Sequence, residues 1–362
     1  MLGFRALGHE VWYLEDTGAW PYDAERQTVT EDCSFSLRQI EKVMREFGFE
    51  KRWIYRNGAD GSFHGSLSSA QAEELVRSAD VLANVAGACG LTELTDKIPC
   101  KLFLDGDPMF THIKLAVEES GIYRAAVRAH EKLYTFGLNV GQADCLVPTL
   151  GWDWKATIQP VALEFWDAED WPAPRVDVSD AWTTVMNWFS YPPQKYEGAL
   201  YGQKDLEFAR FENLPGKTKE KLMLAMNAGI GNKRPTERLE GVGWHLLEPD
   251  EVIPDFWSYR DFIAGSLGEW SVAKHGYVAS RSGWFSCRTA CYLAAGRPAV
   301  VQDTGWSKYL PENAGVLGFD SVAEAVAKLE EVAGDWERFS RDAKSFAREV
   351  LDAKKVCADL LL

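Results

Sequence analysis

The 362-residue sequence lacks most of the features that would place it at a membrane, outside the cell or on nucleic acid. It has no run of 18 apolar residues, which argues against a transmembrane helix, and its first residues carry neither a basic n-region nor a cleavage site. It has no CxxC pair and no disulfide-framework spacing. Its seven cysteines (Cys33, Cys89, Cys100, Cys145, Cys287, Cys291 and Cys357) are an odd set that reads as reduced, mostly buried small hydrophobes of a cytoplasmic protein. Cys287 and Cys291 have i,i+4 spacing, but no His or third Cys lies near them in sequence to complete a metal site. Positive charge is also short: 39 Lys and Arg face 54 Asp and Glu, a net charge of −15. Unaided binding to nucleic acid or an anionic surface is therefore not expected, and an anionic ligand would need a few local cations and backbone N–H groups. No GxGxxG follows a strand, which argues against a dinucleotide-dependent dehydrogenase.

What is present is ordinary globular composition, 46% hydrophobic and 26% charged, with 15 Trp, 12 Tyr and 18 Phe. The length suits two domains. In the first half, short apolar strands alternate with capped helices. The expected strands are Glu10–Leu14, Trp53–Tyr55, Asp80–Val85, Lys101–Leu104 and Lys132–Phe136. Ser36-Leu37-Arg38-Gln39 and Ser68-Ser69-Ala70-Gln71 read as capping boxes. From 148 to 180 prolines and tryptophans interrupt the pattern, marking a junction. A second αβ series follows: Trp182–Asn187, Lys221–Met226, a helix near Tyr259–Ser266, the segment Trp270–Ser282, a further helix and the strand Ala299–Gln302. Two helical stretches, from Ser321 and from Asp335, close the chain. Strands separated by helices mean parallel sheets covered on both faces. The expected fold is α/β, with two Rossmann-like doubly wound domains at 1–165 and 166–340 and a closing helix at 341–362. Met1 to Glu10 reads as the last turns of a helix, a Gly stop and entry into a strand.

The chemistry concentrates in EWSVAKHGYVASRSGWFSCRTACYLAAGRPAVVQDTGW, residues 269–306. Ser282-Gly283-Trp284-Phe285-Ser286 is a small-residue turn feeding a helix capped by Ser286, a place where free N–H groups and the positive end of the helix dipole can meet an anion; an ordinary capped crossover helix would look the same. Lys274, His275, Arg281 and Arg288 lie nearby and could balance a diphosphate. Asp303 ends a strand and suits either sugar hydroxyls or a turn. In the first half, Asp105-Gly106-Asp107-Pro108 follows the strand KLFL and so sits at a carboxyl end, as a turn or as a source of a general base.

The runs SGWFS (282–286), YLAAGRP (292–298) and QDTG (302–305), with the two-domain layout, resemble the donor domain of bacterial GT-B glycosyltransferases. That resemblance implies a hexosyl-type transferase without an obligatory metal or cofactor. A nucleotide diphosphate sugar would be held by the second domain and a small-molecule or glycan acceptor by the first. It implies that Gly283 and Ser286 meet the diphosphate, that Asp303, Thr304 and Gly305 meet the sugar, and that Lys204 of YGQK (201–204) places a cation on the phosphates; Lys204 also reads as a solvated surface lysine. Lys274, His275, Ser282, Trp284, Phe285 and Arg288 complete the expected donor site, with Asp107 or Asp105 as acceptor-side base. DxD is a metal motif in the other large glycosyltransferase fold, but that fold lacks this two-domain order. Members of the resembled family start with a strand and a Gly-rich loop, whereas this sequence starts after them. The first sheet is therefore expected to have unpaired edges, and the first domain to be poorly stable or self-associating. An epimerase on the same scaffold and a non-catalytic sugar-nucleotide-binding protein are the alternatives.

Overall fold

The computed structural model describes residues 1–167, 171–229, 234–311 and 314–362. The chain opens with α1 (Leu2–Ala6) and β1 (Tyr13–Glu15), a hairpin of β2 (Tyr22–Asp23) and β3 (Thr28–Val29), α2 (Ser34–Glu46), β4 (Trp53–Arg56), β5 (Phe63–Gly65) and α3 (Ser69–Ser78). It continues through β6 (Val81–Val85), β7 (Cys100–Asp105), α4 (Phe110–Val117), α5 (Ile122–Arg128), β8 (Lys132–Thr135) and β9 (Trp154–Ala156). Ser68 caps α3 as the sequence predicts, its side chain and that of Gln71 exchanging bonds with each other's backbone N–H. The box at Ser36 does not form: α2 starts at Ser34 with Cys33 as N-cap and no side-chain cap, so Ser36 lies inside the first turn.

The first-half strands fall into two sheets, β1-β4-β5 and β6-β7-β8-β9. β1 runs parallel to β4, and β6 to β9 are all parallel. Among the described residues, β1 and β6 each have one strand neighbour. Cys89 links the two sheets at their carboxyl ends, its Sγ donating to Leu14 O (3.5 Å) and accepting from Asp16 N (3.4 Å).

The second half holds β10 (Ala181–Phe189), a hairpin of β11 (Gln194–Tyr196) and β12 (Ala199–Tyr201), α6 (Lys204–Phe208), β13 (Lys221–Gly229), α7 (Thr236–Gly241), β14 (His245–Leu247), α8 (Pro249–Val252) and α9 (Phe256–Gly265). Next come β15 (Gly268–Ser271), α10 (His275–Ser280), α11 (Cys287–Ala294), β16 (Ala299–Gln302) and β17 (Val316–Phe319). Their six-stranded sheet has the order β14-β13-β10-β15-β16-β17, every pair parallel. Apolar layers cover both faces, one around Trp182, Phe208, Trp270 and Phe319, the other around Phe285, Tyr292 and Phe346. Of the expected junction at 148–180, residues 168–170 lie outside the described residues.

The closing helices α12 (Val322–Gly334), α13 (Trp336–Phe346) and α14 (Ala353–Leu361) do not all serve one half. Phe339 of α13 packs in the second core. The chain then crosses back, with Val161 N donating to Leu351 O (2.7 Å) and Ala353 N to Val161 O (2.9 Å). At the end of α14, Tyr134 OH of β8 donates to Leu360 O (3.1 Å). A third apolar cluster joins Phe103, Met109 and Phe110 of the first half to Tyr201, Ala273 and Tyr277 of the second, so the two halves share buried surface.

Candidate active site between the two halves

Parallel strands deliver their carboxyl ends to one edge of each sheet, and those edges carry the polar residues. Asp105, the last residue of β7, is 1% exposed. Its carboxylate accepts from Thr135 Oγ1 (2.8 Å) and Asp107 N (3.0 Å) and faces His112 Nε2 at 3.4 Å. Burial pushes this carboxyl up, but the bond and charge of His112 and the surrounding donors outweigh it, and the net shift is downward. Asp105 is thus built into the wall of the site and presents no open face.

Asp107, two residues on, does reach the second half. Its carboxylate accepts from Lys274 Nζ (3.0 and 3.1 Å), Tyr191 OH (2.6 Å) and Tyr277 OH, and Lys274 also donates to Tyr191 (2.8 Å). Lys274 lies over the rings of Phe110, Tyr191 and Tyr277 at 4.7–5.3 Å. Burial lowers its ammonium while Asp107 pulls the other way. Burial and the charge of Asp107 raise both phenols, so they remain donors. The candidate base is thereby held in a latch that ties the first half to the second.

Beside the latch stand two cations with unused capacity. Lys204 opens α6, and its ammonium makes no hydrogen bond or ion pair among the described residues. Burial, then the nearby charges of Arg288 and Lys274, push it well below its ordinary value, opposed by Glu269. Arg288, in the first turn of α11, donates from Nε to Glu269 Oε1 (2.7 Å) and from Nη1 to Val185 O (2.7 Å), leaving Nη2 buried without a partner. Thr289 Oγ1, Trp284 Nε1 and Glu269 Oε2 are likewise buried and unpartnered. Ser286 caps α11, accepting from Arg288 N (3.2 Å).

The turn before α11 is occupied by the other half of the chain. Gly283 N donates to Thr304 O (2.8 Å), Ser282 N to Tyr277 O (3.1 Å) and Trp284 N to Ser282 Oγ (3.2 Å). Outward, Leu138 N donates to Gly283 O (3.1 Å) and Asn139 N to Ser282 O (3.2 Å). Gly283 has φ +73°, and a Cβ there would lie 2.3 Å from Asn139 N, so only glycine permits this approach. Trp284 stacks on Tyr277 at 4.5 Å, and Phe285 points into the core. Next to it, Asp144 receives Arg281 Nε (3.0 Å), Asn139 Nδ2 (3.2 Å) and Lys308 Nζ, which together lower its carboxyl to about 2.

The remaining sequence candidates serve the frame of the site. His275 Nδ1 accepts from Gly202 N (3.2 Å), fixing the end of the β11-β12 hairpin. Asp303 accepts from Gly305 N (2.8 Å) and Ser307 Oγ (2.6 Å), shaping the turn after β16, and Thr304 Oγ1 donates to Trp284 O (2.8 Å). A narrow cavity of about 10 Å³ runs among Ser271, Ala273, Trp284, Ser286, Thr289 and Gln302. Sequence reasoning missed Tyr191, Tyr277, Glu269, Asn139 and Asp144. For Glu269 a signal existed, an acid inside the apolar strand run EWSV, which needs a buried cation.

No protein-family model and no curated protein matches the chain. Solved structures do match its fold. An alpha-glucosyltransferase in complex with UDP-glucose and DNA containing an abasic site aligns at TM-score 0.52 and 11% identity, over 88% of this chain and 93% of that one. HepE from Anabaena in complex with UDP-glucose aligns at TM-score 0.52 and 10% identity, over 97% of each chain. At such identities the likeness speaks for architecture alone, and on that architecture the chain has the α/β GT-B fold, two units built on parallel sheets with the latch between them.

Proposed function

We propose that the protein is a glycosyltransferase that moves a hexosyl group from a nucleotide diphosphate sugar to an acceptor bound in the first half. The observation that carries this reading is Arg288 Nη2, buried without a partner among the described residues although the same guanidinium pairs with Glu269, beside the half-buried Lys204, in a chain of net charge −15. A buried donor left without a partner costs about 1–3 kcal/mol, so an anion that meets Arg288 Nη2 and Lys204 is the economical explanation. A diphosphate seated there would accept from Lys204 Nζ, Arg288 Nη2 and the Ser286 end of α11. Asp303, Thr304 and Gly305 border the sugar side. As the bond from the anomeric carbon to the diphosphate breaks, these cations take up the developing charge without a metal. The acceptor oxygen forms the new bond to the anomeric carbon and gives its proton to Asp107. Asp107 can accept it only after leaving Lys274, so the diphosphate must first draw Lys274 toward itself.

The net charge weighs against a nucleic-acid acceptor. The fully occupied Asp107 favours one second reading, donor binding without turnover. The test is calorimetric titration with UDP, GDP, ADP and dTDP, with and without magnesium, followed by product analysis with the matching nucleotide sugar. One diphosphate binding in the absence of metal, with loss of affinity in Lys204→Met and Arg288→Met, is the expected result. Binding without hydrolysis or transfer would favour the second reading, and no binding at all would remove both.

A further inference from the structure

His112 lies in α4 with its ring wholly buried. Its Nδ1 is 2.8 Å from Pro148 O, and a carbonyl oxygen can only accept, so Nδ1 carries a hydrogen. Its Nε2 faces Asp105 Oδ2 at 3.4 Å and meets no other polar partner among the described residues. With one hydrogen on the ring, Nε2 would turn a lone pair toward a buried carboxylate, a costly arrangement away from water. A second hydrogen removes the conflict: the ring becomes an imidazolium and supplies the cation that a buried carboxylate needs. Two further observations agree. The ring lies over Trp154 with centroids 4.3 Å apart, a face that favours a cation. Asp105, despite its burial, is held below its ordinary value by His112 and its other donors. Among the described residues no other cation pairs with Asp105: Lys274 feels its charge but is bonded to Asp107, and Tyr123, Tyr191 and Tyr277 feel it without bringing positive charge.

The pair is a branch point. Asp105 Oδ1 accepts from Asp107 N (3.0 Å), at the residue whose carboxylate meets Lys274, Tyr191 and Tyr277. Asp105 Oδ2 accepts from Thr135 Oγ1 (2.8 Å), and the same hydroxyl receives Gly137 N (3.1 Å). The next two residues, Leu138 and Asn139, donate to Gly283 O and Ser282 O of the second half. On the far side of the ring, Pro148 O belongs to the segment in which Leu146 N donates to Ser280 O (2.8 Å). Asp107, residues 137–139 and residues 146–148 all touch the second half, and all are tied to this one buried pair. Such a pair adds little net stability, because desolvation offsets the attraction. What it supplies is geometry.

We propose that His112 is a positioning residue: as an imidazolium it locks Asp105 and, through both oxygens of that carboxylate and the Pro148 carbonyl, sets Asp107 and the loops 137–139 and 146–148 against the second half as one unit. That this placement serves turnover rests on the glycosyl-transfer reading; that His112 sets it does not. The test compares the full chain with His112→Gln, which keeps one amide donor, and with Thr135→Val, which cuts a single branch. In nitrogen-15 NMR of histidine-labelled protein at neutral pH, the signal that His112→Gln removes should show hydrogen on both ring nitrogens. In hydrogen exchange, His112→Gln should speed the amides of Asp107, Leu138, Asn139 and Leu146 together by about tenfold or more, with those of β10 and β13 unchanged. Thr135→Val should speed Gly137, Leu138 and Asn139 alone. With a nucleotide sugar that is turned over, His112→Gln should lower kcat and leave the diphosphate Kd in place. A ring with a single N–H, acceleration confined to α4, or Thr135→Val loosening Asp107 as much as His112→Gln would each overturn the proposal. If His112→Gln fails to fold, the wild-type ring signal, identified as the one it shares with Thr135→Val at the shift of a doubly protonated ring, and the Thr135→Val exchange pattern decide. A wild-type chain that transfers nothing would remove the glycosyl-transfer reading and leave the ring and exchange outcomes to decide this one.

Discussion

At the scale of single residues, what separates a site from a well-packed interior is polar capacity left unused. Arg288 is mostly spent on Glu269 and Val185, whereas Lys204 makes no hydrogen bond or ion pair among the described residues. Its replacement therefore has an unusual expected signature. Lys204→Met should keep or raise the melting temperature, because a half-buried ammonium without a partner among the described residues is removed, and should weaken nucleotide diphosphate binding by about 10- to 100-fold, the loss of one charge-assisted bond of roughly 1.5–3 kcal/mol. Differential scanning fluorimetry and calorimetry check the two halves separately; a lower melting temperature with intact affinity would make Lys204 structural. Arg288 gives the contrast. Glu269→Ala strands the Arg288 guanidinium, and should cost about 3–5 kcal/mol in chemical unfolding. Asp107→Asn should lower turnover by about 10²–10⁴ if Asp107 is the base, leaving the diphosphate affinity in place, measured as kcat against Kd.

At the scale of elements, the sequence was most legible where local physics decides. The capped α3, the parallel strands from β6 to β8 and the strands β10, β13 and β16 follow from period, caps and Gly or Pro stops, and Lys274 and Arg288 stood out as cations in an acidic chain, whereas Lys204 came only from the family resemblance. Illegible was everything set by contact between distant segments: that Gly283 is glycine so that Asn139 can approach it, that Tyr191 and Tyr277 converge on Asp107, and that α14 returns to the first half. Gly283→Ala tests the first of these. With φ +73° and a contact of 2.3 Å, it should separate the turn from residues 138–139, seen as faster amide exchange at Leu138 and Asn139 while the exchange of the β10 and β13 strands is retained. The edge of β6, which has one strand neighbour among the described residues, belongs to the same scale. Val81 and Val85 are 39% and 55% exposed, an apolar edge of the kind that recruits other strands. Val85→Lys should reduce concentration-dependent association in sedimentation velocity; a wild-type chain already monodisperse at high concentration would show that Cys89 and the loop around it blunt the edge sufficiently.

For the whole molecule, the two halves meet through a buried apolar cluster, the Asp107 latch and the Asp144 clamp, and on the proposed reading a diphosphate, far larger than the cavity of about 10 Å³ beside α11, would open part of this contact. The clamp is the part that solvent can address. The bonds from Lys308, Asn139 and Arg281 hold the Asp144 carboxyl at about 2, against roughly 3.9 for an unperturbed aspartate. A carboxyl lowered in the folded state contributes its stabilisation above the unperturbed value and loses it as the pH falls toward the folded one. Between about pH 4 and pH 2, then, this contribution fades while the apolar cluster, which does not titrate, persists. High salt weakens the same exposed clamp by screening and weakens the half-buried latch of Asp107 less. If closure depends on the clamp, the radius of gyration from small-angle scattering should grow both on acidification through that window and on replacement by Asp144→Asn at neutral pH. The variant should also bind nucleotide diphosphate faster, because less contact must break before Lys204 and Arg288 are reached. An unchanged radius and an unchanged association rate in Asp144→Asn would place the barrier to opening in the latch instead, making Lys274 and Asp107 the groups that the incoming phosphate has to part.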